Sequence, residues 1–314
     1  MREDAGMEIP RAVGARFRAE ITRRDPSAAE WLERLPGVWT ELSAEWHLEA
    51  VGTARAGATS LVVPVVTPSG VRAALKLVSP VMSMDAEAAA LSAFGGRGAV
   101  TLLEADSARR AVLLEWIDGP SLAETADRGA AMSIAGRLTT ELAAATPPSG
   151  APRLAGQTSG WIRQLRAQHE DARRAGTALP EQHLKLATEI IRQLAADGTT
   201  TLTHGDLSLS NILQAAPDRW VAVDPALLVG TAANEAHTVV RGLLPTAIEA
   251  EDPLRLLGDW ARRFTEAAGV DHSLAQALSF ARFVSSYYWE SQHRGAPADV
   301  AALRRAALLL ARSL

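Results

Sequence analysis

The chain has 314 residues, 47 % of them hydrophobic and 22 % charged, with a formal net charge of −4. That is enough for one large domain or two smaller ones, and the mild acidity, with no strongly basic block, gives no reason to expect nucleic acid or an anionic membrane as a partner. The lack of cysteine excludes disulfides, thiolate metal sites and a cysteine nucleophile, and suits a reducing cytoplasm. No apolar run reaches the roughly 20 residues that span a bilayer, and MREDAGMEIPRAVG lacks the apolar segment of a secretory signal.

In chain order, the start is polar. DPSAAEWLERL then opens at Asp25-Pro26 with a helix-start signal and places Trp31, Leu32 and Leu35 on a helical period. WTELSAEWHLEAVG reads as a second helix running into a strand. LVVPVV, the turn TPSG and VRAALKLV form a strand pair, preceded by the small-residue turn AVGTARAGATS. SMDAEAAALSAFGG reads as a helix capped by Ser83 or Asp85 and stopped at Gly95-Gly96. AVTLLEAD and AVLLEWI are two further strands. After IDGPSL the pattern turns helical in AAMSIAGRLTTELAAAT, GWIRQLRAQHEDARRAG and QHLKLATEIIRQLAADG, with TPPSGAPRLAG as a loop between the first two. The short strands NILQ and WVAVDP interrupt the helices, which resume and run to the C-terminal end. The spacing predicts an α+β chain in two lobes: a β-rich lobe over 1–115, a connector at 116–119 and a helical lobe over 120–314.

The chemistry concentrates in TLTHGDLSLSNILQ followed by WVAVDPALL. Asp206 precedes Asn211 by five residues in a loop before a short strand, and Asp224 ends the next strand. That spacing matches a kinase catalytic loop. One carboxylate orients or accepts the proton of an attacking hydroxyl, while an amide oxygen and a second carboxylate hold Mg²⁺ against nucleotide phosphates. Singly, Asp206 reads better as a turn cap and Asp224-Pro225 as a strand-to-turn transition; together, spacing, context and residue type reverse that and agree on the chemical reading. His204 is assigned to holding the loop, not to proton transfer. Lys76, one of only two lysines, stands inside an apolar strand. An edge-strand lysine with a solvated head is the bland reading, but a chain that otherwise uses arginine has reason to place a compact ammonium there for phosphate oxygens. Glu87, on the following helix, is its candidate partner, although a first-turn acid is also favoured by the helix dipole.

The order of LVVPVVTPSGVRAALKLV, EAAALSAFGGRGAVTLLEAD, AVLLEWIDG, THGDLSLSNIL and WVAVDPALLVG resembles the aminoglycoside phosphotransferases, most of all the branch of streptomycin 6-phosphotransferases and hydroxyurea-resistance kinases. The likeness spans about residues 30 to 300. It implies a bilobal protein-kinase-like fold, ATP and Mg²⁺ as cofactors, Asp206 as catalytic base, Asn211 and Asp224 as metal ligands, and Lys76 as the phosphate lysine. Glu115 and Trp116 fall where the family's hinge meets adenine. The chain departs from the pattern in two places. AVGTARAGATS is not a strict G-x-G-x-x-G, and TAANEAH replaces the family's Asp-Pro and following acid, which in such folds braces the catalytic loop; Asn234 and Glu235 are the available substitutes.

The acceptor is poorly encoded. Glu290 and Asp118 are candidate substrate acids, Glu290 reading equally as a solvated helix acid; Trp289 and Tyr287 are candidate walls, with helix core the stronger reading of that aromatic cluster. The resulting expectation is an ATP-dependent O-phosphotransferase that inactivates a small-molecule antibiotic such as an aminoglycoside, with no obligate protein partner. Its rivals are a kinase of a natural-product intermediate and a non-catalytic kinase-like binding protein, the last motivated by the two departures.

Overall fold

Alternation along LVVPVV and VRAALKLV sends every second side chain to one face, and that face is dry. Strands β1 (Glu49–Ala50), β2 (Arg55–Ala56), β3 (Ser60–Val66), β4 (Arg72–Val78), β5 (Leu102–Asp106) and β6 (Ala111–Glu115) form one antiparallel sheet in the order β1-β3-β4-β6-β5, with β2 also paired to β3. Leu61, Val63 and Val65 of β3, Ala73, Leu75 and Leu77 of β4, and Ala111 and Leu113 of β6 are buried in a single core. Two helices complete that core: α1 (Ala15–Arg24) through Ile21, and α2 (Ala28–Glu45) through Trp31, Leu32, Leu35 and Leu42. Lys76 and Val112, paired across β4 and β6, belong to the other set of alternating positions. Helix α3 (Met84–Phe94) starts on Ser83, whose hydroxyl accepts from the Ala86 amide at 3.2 Å, and ends at Gly95 in the left-handed region.

This computed structural model describes residues 13–293 and 295–314. Most of the segment examined for a secretory signal therefore lies outside the described residues. The chain divides into two units. One runs up to Gly96 and resumes over Val100–Asp118; the other takes Arg97–Ala99 and Gly119–Leu314.

The second unit is helical. In chain order it contains α4 (Arg128–Ala143), α5 (Leu154–Arg174), α6 (Glu181–Gln193), α7 (Ala236–Arg241), α8 (Leu244–Ala247), α9 (Pro253–Ala268), α10 (His272–Gln292) and α11 (Pro297–Leu310). Asp127, Asp252 and Asp271 cap α4, α9 and α10 by accepting from backbone amides. Helix α10 is the central element: Leu278, Phe280, Ala281, Phe283, Val284, Tyr287 and Tyr288 are all buried. Two strand pairs carry the loops of interest: β7 (Leu202–Thr203) with β10 (Leu228–Val229), and β8 (Ile212–Ala216) with β9 (Arg219–Ala222). A small β-sheet unit and a larger helical unit make up the bilobal, protein-kinase-like architecture expected from the sequence.

Three local expectations differ from the structure. The polar start contains helix α1, anchored by Ile21. DPSAAEWLERL and WTELSAE form one helix, α2, with Pro36 inside it, because the apolar stripe from Trp31 to Leu42 continues across the proline. The loop read over 146–156 ends early, since α5 already begins at Leu154.

Candidate active site

The loop after β7 is held from three directions. His204 donates from Nε2 to the Val223 carbonyl at 2.8 Å and accepts from the Asp206 amide on Nδ1 at 3.3 Å, while its own carbonyl accepts from the Ala226 amide at 2.7 Å. This is the holding role the sequence suggested for it. Gly205 has φ +81°, and a Cβ there would stand 3.2 Å from Ala226 Cβ and 3.3 Å from Leu228 Cβ, so the turn requires glycine. Below it lies Glu235, 1 % exposed, whose two carboxylate oxygens accept from the Gly205 amide at 2.6 Å and the Leu207 amide at 3.2 Å. The loop-bracing acid that TAANEAH lacked by pattern is thus present as Glu235. Its neighbour Asn234 accepts from Arg282 Nε at 2.9 Å.

Asn211 donates its amide nitrogen to the Asp206 carbonyl at 3.0 Å, which points the amide oxygen elsewhere, and its own carbonyl accepts from the Val223 amide at 2.8 Å. Asp224, next in the chain, adopts φ 63°. A non-glycine residue in this region is uncommon and costs energy, and such residues gather at functional turns. Asp206, Asn211 and Asp224 therefore sit on a cross-linked pair of turns. Among the described residues no group of three or more His, Asp or Glu could hold a metal by itself. Asn211 and Asp224 offer one neutral and one anionic hard oxygen, a donor set that fits a divalent ion completing its shell with phosphate oxygens and water.

The Asp206 carboxylate opens into a cavity of about 510 Å³. Its walls are stripes of three helices and a turn. Helix α5 supplies Gln157, Trp161, Gln164 and Gln168; α10 supplies Arg282, Ser285, Ser286, Trp289 and Glu290; Asn234, His237, Thr238 and Arg241 complete it. The spacing within each stripe is that of one helix face. Burial pushes the Asp206 carboxyl above the ordinary carboxylate range; Asp224 adds to this, while Arg241 and Arg282 oppose it. Burial likewise raises Glu235, against the pull of the Gly205 and Leu207 amides. Burial drives His237 well below the usual imidazole value, helped by Arg282 and Arg241, so it is neutral.

Of the acids proposed for the acceptor, Glu290 lines the cavity and is ion-paired with Arg241. Asp118 belongs to the β-sheet unit, where it accepts from Trp116 Nε1 at 2.6 Å and from Arg72 at 2.8 Å. Arg72 also lies 4.8 Å over the Trp116 ring. Tyr287 is core, its hydroxyl donating to the Thr177 carbonyl at 2.5 Å, whereas Trp289 is 47 % exposed and lines the cavity. In the sheet unit Lys76 and Glu87 form a buried ion pair at 2.5 Å, with 5 % and 6 % exposure. Glu115 ties β6 to Thr101: its amide donates to the Thr101 carbonyl at 3.0 Å and its carboxylate accepts from the Thr101 hydroxyl. The glutamine and arginine positions of the cavity were not anticipated. Their signal was present, as polar residues recurring at helical spacing beside a tryptophan, but the same pattern describes a solvated helix face.

A β-sheet unit with a buried strand lysine paired to a helix glutamate, and a helical unit with a braced His-Gly-Asp loop beside a cavity, are the features of a small-molecule kinase. The model of the aminoglycoside/hydroxyurea antibiotic resistance kinases matches residues 45–297, and the chain belongs to that family. It is 29 % identical over 311 residues to a streptomycin 6-kinase of Streptomyces glaucescens, covering 96 % of this chain and 97 % of that one. It is 32 % identical over 297 residues to a hydroxyurea phosphotransferase of Kitasatospora aureofaciens, covering 92 % and 82 %. In fold it is similar to an amicoumacin kinase (TM-score 0.60, 13 % identity, 89 % and 93 % covered). A glucosamine kinase is comparably similar (TM-score 0.59, 18 % identity, 88 % and 86 % covered). The kinase-like fold implies a nucleotide, ATP, as phosphoryl donor. No described helix is long and apolar enough to cross a membrane.

Proposed function

We propose that the chain transfers the γ-phosphoryl group of ATP to a hydroxyl of a small molecule seated in the cavity above Asp206. The observation that carries this reading is the Asp206 carboxylate, opening into that cavity from a loop fixed by Glu235, His204 and Asn211. The acceptor hydroxyl hydrogen-bonds to Asp206, its oxygen bonds to the γ-phosphorus in line as the bond to ADP breaks, and Asp206 takes the proton. Asn211 Oδ1 and Asp224 would hold Mg²⁺, which when bound neutralises phosphate charge. Lys76, its ammonium fixed by Glu87, would meet phosphate oxygens, and the backbone around Glu115 and Trp116 would meet adenine. The names of the curated relatives make antibiotics the first acceptors to assay, with resistance by inactivation as the consequence; a biosynthetic intermediate is the alternative acceptor. The Glu235 brace removes one ground for a non-catalytic reading.

The test is acceptor-dependent ADP release with Mg-ATP by the wild type and by Asp206→Asn. The substitution should lower kcat by roughly 10²–10⁴-fold with Mg-ATP affinity unchanged. Wild-type turnover in the variant would refute the assignment of Asp206.

A further inference from the structure

Four charged side chains line the cavity: Asp206, Glu290, Arg241 and Arg282. Glu290 and Arg241 neutralise each other. Asp206 is committed, in the reading above, to the acceptor hydroxyl. Arg282 is different. Its Nε is tied to Asn234 Oδ1 at 2.9 Å, and its guanidinium lies 4.3 Å over the ring of Trp161, which is itself fixed by donating from Nε1 to Ser285 Oγ at 2.7 Å. Among the described residues its terminal nitrogens donate to no protein atom and no carboxylate lies in ion-pair contact with it; Asp206 and Glu235 act on it only at longer range. A guanidinium held by one edge and one face still presents an edge with two parallel N–H groups, the geometry that binds a carboxylate or a carbonyl oxygen.

We propose that the acceptor carries a carboxylate or carbonyl oxygen that docks on the free edge of Arg282. The proposal rests on the kinase reading of this cavity and names its substrate class. The rest of the lining agrees. Gln157 and Gln164 offer neutral amides that exchange hydrogen bonds with hydroxyls in either direction, and Trp289 offers an aromatic wall.

The experiment compares three ligands that share a ring: D-glucose, and two charged sugars that each differ from it at one position, D-glucuronate at C6 and D-glucosamine at C2. Binding to the 314-residue chain with Mg-ATP is measured by saturation-transfer NMR and phosphorylation by ADP release, for the wild type, Arg282→Gln and Arg282→Lys. Glucuronate should bind most tightly, by about tenfold over glucosamine, the scale of one charge-assisted hydrogen-bonded pair. Arg282→Gln should erase that difference, and Arg282→Lys, which keeps the charge without the fork, should restore only part of it. Tightest binding of glucosamine, binding of none of the three, or an unchanged order in a folded Arg282→Gln protein would overturn the proposal. Failure of the wild type to bind Mg-ATP would overturn the kinase reading with it.

Discussion

Glu235 places one buried carboxylate on two amides of the catalytic loop. A glutamine there keeps one acceptor oxygen and brings an NH₂ against the other amide, so Glu235→Gln should lower kcat by about tenfold or more while Mg-ATP binding persists, the loss of a charge-assisted pair; ADP-release kinetics with a nucleotide titration check it. Asp206 is raised by burial and held down by Arg241. The acid limb of the kcat/KM profile should therefore lie above the ordinary carboxylate value of 3.8, and Arg241→Met should move it to higher pH, because removing a nearby cation makes the carboxylate harder to ionise. His237 sets the sign of a stability effect. Its folded pKa is well below the unfolded value near 6.5, so below that value the unfolded state binds the extra proton and stability falls as the pH drops. His183, also depressed by burial, acts in the same direction. Thermal unfolding of His237→Gln should show a shallower loss between neutral and acid pH than the wild type. At this scale the sequence was most readable where residue type and spacing are both constrained, as for the Lys76–Glu87 pair and the placing of Asp206, Asn211 and Asp224 on adjoining turns. The brace was harder to read, because Glu235 reaches the loop from 30 residues away through a fold the local pattern does not contain.

Elements were legible where one period dominates. The strands of VRAALKLV and AVLLEWI and the capped helix after Ser83 follow directly from alternation and capping. Pro36 misled because its ring removes a helical hydrogen bond, yet burial of the stripe on both sides of it outweighs that cost. Within the helical unit, Gly136 of α4 faces α9 at a distance that leaves no room for a methyl group: a Cβ would stand 2.5 Å from the Phe264 carbonyl and 2.7 Å from Ala267 Cβ. Replacing glycine by alanine in a helix interior ordinarily gains about 1 kcal/mol, but overpacking costs about 1–3 kcal/mol, and here backbone must move. Gly136→Ala should thus lower the melting temperature, as differential scanning calorimetry would show; a rise would mean that the helices separate without penalty.

On the scale of the whole molecule, the sequence announced two lobes through a change of hydrophobic period near residue 116, but the assignment of Arg97–Ala99 to the helical unit rests on pairing with Ala222 that no local pattern records. The sheet unit carries a buried charge pair, and removing one partner takes away the other's counter-charge at 2.5 Å. Lys76→Met should destabilise that unit by about 3–5 kcal/mol, whereas replacing both Lys76 and Glu87 by apolar residues should recover much of the loss; chemical denaturation of the three proteins makes the comparison. The same pair has a consequence for labelling. Lys185 is exposed and Lys76 is buried against Glu87. An acylating reagent therefore meets one lysine freely and the other only when the sheet unit opens. The rate of modification at Lys76 becomes a clock for that opening, read against Lys185 in the same molecule.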